Sequence, residues 1–368
     1  MTAHNIDFNA ERWRRVKDAS RRWWAGTLER PLLCVTLNGR DPGRPEPAVP
    51  AHGFTAFYGA SVSAEQIVDR WTYTLESQRF LGDAFPAVWP NFGAGVMAAF
   101  LGATAYNGET TVWFHPPRHQ EIADISLKYD AGSPALARIK DICRAAMQRW
   151  QGLVQCGMTD LGGNLDVVSS FRPSEQLLFD LYDHPEHVKR LTWQVHDLWQ
   201  RYFDEINRVL QPVNPGYTAW TAIYSEQPYY MLQCDFCYMI GPAMFDEFVK
   251  PELAAMCKRL VNPFYHLDGP GQLPHLDSLL AIKELKGVQW IHGDGQPTAE
   301  CWPEVYRKIR AAGKLVQVFG RGDWATTARM FDTIVAQVGD ARGIVLIAGA
   351  DAKDERDVMK FLEKYGAA

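Results

Sequence analysis

Short apolar runs recur along this chain, and most are followed by a stretch with helical spacing. Leu32-Leu33-Cys34-Val35-Thr36-Leu37, ending at Asn38-Gly39-Arg40, is continuous in apolar residues and predicts a strand buried on both faces. Similar runs come at 85–95, 153–158, 217–224, 231–235, 264–268, 288–292, 315–320 and 344–349. Between them, spacing of three and four residues predicts helices at 63–80, 133–150, 173–182, 185–210 and 242–260. An amphipathic helix carrying Trp13, Trp23 and Trp24 is predicted over about residues 8–28. Residues 41–60, rich in proline and glycine, predict a long loop. About eight strands alternating with helices favour a parallel sheet with right-handed crossovers. The expectation is therefore a single α/β domain over 1–368: a (β/α)8 TIM barrel with an N-terminal helical extension over 1–30. An open doubly wound sheet would carry a glycine fingerprint after its first strand, and Gly320-Arg321-Gly322 is too weak to supply one.

The polar residues that close these runs are the candidate chemistry, because a parallel barrel presents its site at the C-terminal strand ends. His266 and Asp268 end one run two residues apart and so share a face. They suit a metal ligand pair, or a histidine acid–base oriented by a carboxylate; the plain alternative is a strand-end hydrogen bond. His292 and Asp294 end the next run, where Asp294 is a further ligand or a turn cap. Asp160 and Asp166 flank Gly162-Gly163, an arrangement for proton transfer or for binding a cationic or hydroxylated group, or else an Asx-type turn. Arg172 offers a bidentate clamp for a carboxylate or phosphate, or a structural ion pair. Cys234 and Cys237 form a lone Cys-x-x-Cys, a weak signal in which Cys234 is the better placed ligand. Trp89, Asn91, Trp113, Trp220, Tyr224 and Trp290 fall near strand ends, where aromatic walls suit a planar ring, a sugar face or a methylated cation, or simply plug the barrel.

Composition narrows the classes. Hydrophobic residues at 47% against 22% charged leave ample material for a core and argue against disorder. A formal charge of −5 without long basic runs makes nucleic acid and anionic membrane poor partners. No apolar run reaches membrane-spanning length, and the polar N-terminus lacks a signal core. Seven cysteines without a compact spacing framework suggest reduced thiols and a cytoplasmic location.

The order of motifs resembles the uroporphyrinogen decarboxylase-like superfamily, which includes that decarboxylase, corrinoid-linked methyltransferases and the methionine synthase barrel. The resemblance covers most of the chain and is strongest at CDFCYMIGPAMFDEFVKPELAAMCKRL leading into FYHLDG, at AAGKLVQV and at IVLIAGAD. The first strand, ending TLNGR, is similar to the family's first strand, which implies a substrate-facing Arg40. Two departures bear on activity. Where the decarboxylase carries an aspartate and a late histidine, this chain has Val88-Trp89-Pro90-Asn91 and Ala348-Gly349-Ala350-Asp351. Where the methyltransferases hold zinc by His-x-Cys and a late cysteine, it has His266-x-Asp268 and no cysteine after Cys301. A harder nitrogen- and oxygen-donor site is left open.

The resemblance implies a methyltransferase-type enzyme that demethylates a small methylated substrate toward a corrinoid on a separate protein. Zinc or another divalent metal would sit at His266 and Asp268, with Cys234 and Asp294 as further candidate ligands. Asp160, Asp166, Arg40, Arg172, Asn91 and the aromatic residues would form the substrate site, and a homodimer is a candidate assembly. The alternatives are a cofactor-independent decarboxylase of a porphyrinogen-like or aromatic carboxylate, with Arg40 and Arg172 gripping carboxylates, and a non-catalytic small-molecule-binding barrel.

Overall fold

The computed structural model describes residues 5–368. Among the described residues eleven strands form: β1 Leu32–Asn38, β2 Gln78–Gly82, β3 Ala87–Val88, β4 Thr104–Asn107, β5 Val112–His115, β6 Gln155–Cys156, β7 Tyr229–Leu232, β8 Asn262–Asp268, β9 Gly287–Ile291, β10 Leu315–Phe319 and β11 Ile344–Asp351. The main sheet has seven strands in the order β2-β1-β11-β10-β9-β8-β7. All neighbours in it are parallel except β2, which turns back antiparallel onto β1. Helices connect successive parallel strands, so the fold is mixed α/β.

Strand pairing does not close the main sheet into the expected barrel, and β2 and β7 are its edges. β3 and β6 form a separate two-stranded parallel pair. Proline explains why that ladder stays short. β3 lies between Pro86 and Pro90, neither of which has an N–H to donate. The predicted strand over 217–224 is likewise absent, and only an isolated antiparallel bridge joins Tyr217 to Ser225. The link from the β6 segment to β7 comes from a side chain, the Tyr230 hydroxyl, which accepts the Leu161 N–H at 2.7 Å.

Other elements follow the sequence more closely. The helices Ala10–Trp24, Ala64–Glu76, Pro134–Trp150, Ser174–Asp183 and Pro185–Leu210 fall where the apolar spacing places them. The side chain of Asn9 caps the first, and Ser63 with Gln66 forms a capping box on the second. The predicted helix over 242–260 is broken into Pro242–Met244, a π-helical turn Phe245–Val249 and Lys250–Arg259. Pro251 contributes, since it cannot donate to the preceding turn. The stretch around Trp113 is an antiparallel hairpin, β4–β5.

The N-terminal helix covers the N-terminal ends of the strands. Trp13 donates its indole N–H to the Leu153 carbonyl, and Trp24 donates to that of Tyr224, each at 2.8 Å. Trp23, almost wholly buried, stacks on Phe264 of β8. Phe264 has room because residue 287, its register partner on β9, is glycine. A Cβ there would lie 2.1 Å from the Phe264 ring and 2.8 Å from the Leu315 carbonyl. The tryptophans thus fill the lower end of the strands, and the opposite end is left to the polar residues. No helix among the described residues is long and apolar enough to cross a membrane. All seven cysteines are free thiols.

Gly287→Ala is expected to destabilise the protein by roughly 3 kcal/mol through overpacking against Phe264. Thermal or urea denaturation measures it; an unchanged midpoint would show that the layer under the site tolerates added volume.

Candidate functional site at the C-terminal strand ends

β8 supplies the central residue. Its alternation sends Phe264, His266 and Asp268 to one face, with Phe264 low against the tryptophans and the polar pair above it. On β9, Gln289 is the register partner of His266 and shares that face. The Nδ1–H of His266 donates to the Gln289 carbonyl oxygen, which turns Nε2 toward Asp268, 3.7 Å from its Oδ2. The Trp220 ring meets the imidazole edge-on at 5.1 Å. Trp290, next to Gln289, necessarily points to the other face of β9, where it packs against Trp302.

Asp235 comes to this pair from the end of β7, and ligand atoms of Asp235, His266 and Asp268 lie within 4.8 Å of one another. The turn that carries it, Asp235–Met239, is held at its start and at its middle. Asp166 accepts the backbone N–H of Asp235 at 3.0 Å and of Phe236 at 2.7 Å. His275, stacked on Phe245, donates to the Cys237 carbonyl at 2.8 Å. Asp166 is therefore a positioning residue for Asp235. Asp160 accepts the Gly162 N–H at 2.9 Å and, more distantly, the Tyr230 hydroxyl.

These acids sit in an environment that resists their ionisation. Burial pushes Asp160 up to about 6, against the pull of the Gly162 N–H and of His266. Asp166 is pushed up to about 7, by burial first and then by the charge of Asp235. The Asp235 carboxyl is open to the adjoining cavity yet surrounded by protein, and it is raised by that desolvation and by Asp268 and Asp160. Burial works against a charged His266, but the contact with Asp268 and the charge of Asp235 outweigh it, so its basicity is raised. Each partner favours charge on the other while the surroundings disfavour it on both.

Beside Asp235 opens a cavity of about 610 Å³. Asp166, Asp235, Gln233 and Phe236 line one side, and Trp113 and Phe114 of the β4–β5 hairpin line another. Trp113 is 61% exposed, a large apolar ring presented at the rim.

Several candidates from the sequence lie elsewhere. Arg40 donates to the carbonyls of Asn5 and Glu76, so it ties the N-terminal segment to the helix Ala64–Glu76. Arg172 forms a buried bidentate ion pair with Asp180 and also donates to the Gln120 carbonyl. Asn91 shapes a turn by donating to the Gly53 carbonyl and accepting the Gly93 N–H. Tyr224 is buried among Trp13 and Phe85 near the N-terminal helix. Trp89 is half-buried beside Gly157. Cys234 is buried against Cys237; that contact and desolvation push its thiol well up, which disfavours the thiolate a metal needs. Asp294 is exposed on the loop after β9 and outside the ligand group. Asp235 takes the place expected for Cys234 and Asp294. Its signal in the sequence is its position just past an apolar run, one residue from the cysteine. Gln289 was legible as a lone amide inside the apolar strand Val288–Ile291.

No protein-family model matches this sequence, and no curated protein matches it. Among solved structures the chain is similar to a methyltransferase from Methanosarcina mazei, with a TM-score of 0.56 and 12% sequence identity. The match covers 88% of this chain and 96% of that one. At this identity the likeness establishes a shared fold.

Asp160 has a folded-state pKa above its unfolded value. Its contribution to stability is therefore complete below about pH 4 and is lost as pH rises through about 6. Melts between pH 4 and 8 should show Asp160→Asn lacking part of the wild-type decline, on the order of 3 kcal/mol. Parallel wild-type and variant profiles would contradict the assignment.

Proposed function

We propose that this chain is an enzyme of the uroporphyrinogen decarboxylase-like superfamily that demethylates a small methylated substrate, delivering the methyl group to a corrinoid on a separate protein. In this reading β1, β3, β6, β7, β8, β9, β10 and β11 are the eight strands of a TIM-barrel arrangement. Support comes from the pairing of the first of these strands with the last, β1 with β11. The fold shared with a methyltransferase from Methanosarcina mazei agrees with it.

The observation that carries the proposal is the convergence of Asp235, His266 and Asp268 beside the cavity. One imidazole nitrogen and two carboxylates are a hard donor set suited to zinc or another divalent ion, and three protein ligands would leave a position open. The Gln289 carbonyl on Nδ1–H fits this use, because it fixes the tautomer whose Nε2 is available as a ligand. A divalent ion held there would supply Lewis-acid neutralisation of charge on the departing atom. The chain's own residues do the rest. Asp166 and His275 fix the Asp235 turn. Trp220 covers one edge of the imidazole, and Trp113 and Phe114 shield the cavity. Asp160, with a pKa of about 6, is suited to hold or release a proton near neutrality.

The decarboxylase reading asks for cations to grip carboxylates. Arg40 and Arg172 are engaged elsewhere, and no lysine or arginine among the described residues lines the cavity.

Metal analysis of the purified chain is expected to find a divalent ion, lost in His266→Ala and in Asp235→Ala. Demethylation with reduced cobalamin as acceptor should fall at least about hundredfold in either variant, the scale of one preorganised electrostatic contact. Gln289→Leu should weaken metal affinity by about ten- to hundredfold. Activity that persists without metal and ignores chelators would overturn the metal assignment.

A further inference from the structure

The cavity has a charge pattern that selects its ligand. Asp166 and Asp235 line it, and Asp160 and Asp268 stand behind them close enough to act on Asp235 and His266. Only Asp166 and Asp235 of these reach the lining itself, where an organic cation would gain their attraction. No lysine or arginine is among the lining residues, and His115 is the one histidine there. An anion would meet two acids there with no lysine or arginine to pair with.

Two independent features add to this. Trp113, Phe114 and Phe236 give the lining aromatic surface, and ring faces attract organic cations most strongly when water is partly excluded. Gln233, which follows β7, is 7% exposed and lines the cavity, yet its side-chain amide has no hydrogen-bonding partner among the described residues. A buried amide that faces a cavity unpaired is a polar group suited to a ligand.

We propose that the cavity takes a methylated organic ammonium ion, its charge facing Asp235 and Asp166 and its methyl groups against Trp113, Phe114 and Phe236. Gln233 hydrogen-bonds a second polar group on the same ligand, such as a hydroxyl or a carbonyl. This names the substrate class of the methyl-transfer site, so the fate of the bound ligand rests on that reading. Binding itself does not.

Choline, neohexanol and tert-butylacetate form a matched set in which a cationic, a neutral and an anionic molecule share nearly one shape. Isothermal titration of the full chain, without any corrinoid protein, is expected to show choline binding at least about tenfold more tightly than either of the others. With wild type and variant both stripped of metal by a chelator, Asp235→Asn should weaken choline at least about tenfold and leave neohexanol unchanged. Trp113→Ala, at the exposed rim, should weaken choline about threefold. Gln233→Leu should weaken choline more than tetramethylammonium, which has no hydroxyl to bond. Circular dichroism checks that each variant is folded. Equal affinity for choline and neohexanol would overturn the proposal, as would choline affinity indifferent to both Asp235→Asn and Trp113→Ala. If choline binds in the expected pattern but is never demethylated, the cation site stands and the methyl-transfer reading falls. If a neutral methyl ether is demethylated while choline does not bind, the reverse holds.

Discussion

The Asp166 carboxylate receives two backbone N–H groups from the turn after β7, and through them it sets where Asp235 stands. Without that contact the turn's first amides would have no side-chain acceptor. The contact crosses between chain segments 69 and 70 residues apart. A carboxylate that accepts two amide hydrogens is held in orientation as well as in place. The grouping of Asp235, His266 and Asp268 thus depends on an acid outside it.

Holding several acids this close is unfavourable by itself. Burial opposes charge on Asp160, Asp166 and Asp235, and their mutual repulsion adds to it. The backbone amides at Gly162, Asp235 and Phe236 offset part of the cost, and His266 does so for Asp160 and Asp235. What remains raises the affinity of these acids for protons. A divalent ion beside them, or a cationic ligand in the adjoining cavity, would lower that affinity. The lower end of the strands is built on the opposite principle, with Trp13, Trp23 and Trp24 packed around Phe264 and the strand starts. Rigid apolar packing below and unsatisfied polarity above are complementary, because the rings fix the strands whose ends must hold the acids in register.

Apolar periodicity along the chain determined the helices, most strands and the polar character of their ends, because burial on one or two faces leaves a periodic mark on any single element. It also paired His266 with Asp268, since residues two apart in a strand share a face whatever surrounds them. It could not determine that β3 and β6 would pair apart from the main sheet, where hydrogen bonding between distant segments decides. Nor could it choose among acids and arginines at neighbouring strand ends. Arg40 and Arg172 resemble substrate clamps in one dimension, but the fold gives them nearby carbonyls and carboxylates that hold them elsewhere. Asp235 joined His266 through a turn whose shape is set by Asp166 and His275, and Gln289 did so through strand register. Local pattern reports which side of an element is buried, whereas a site is a set of distances between elements, and only their packing sets those.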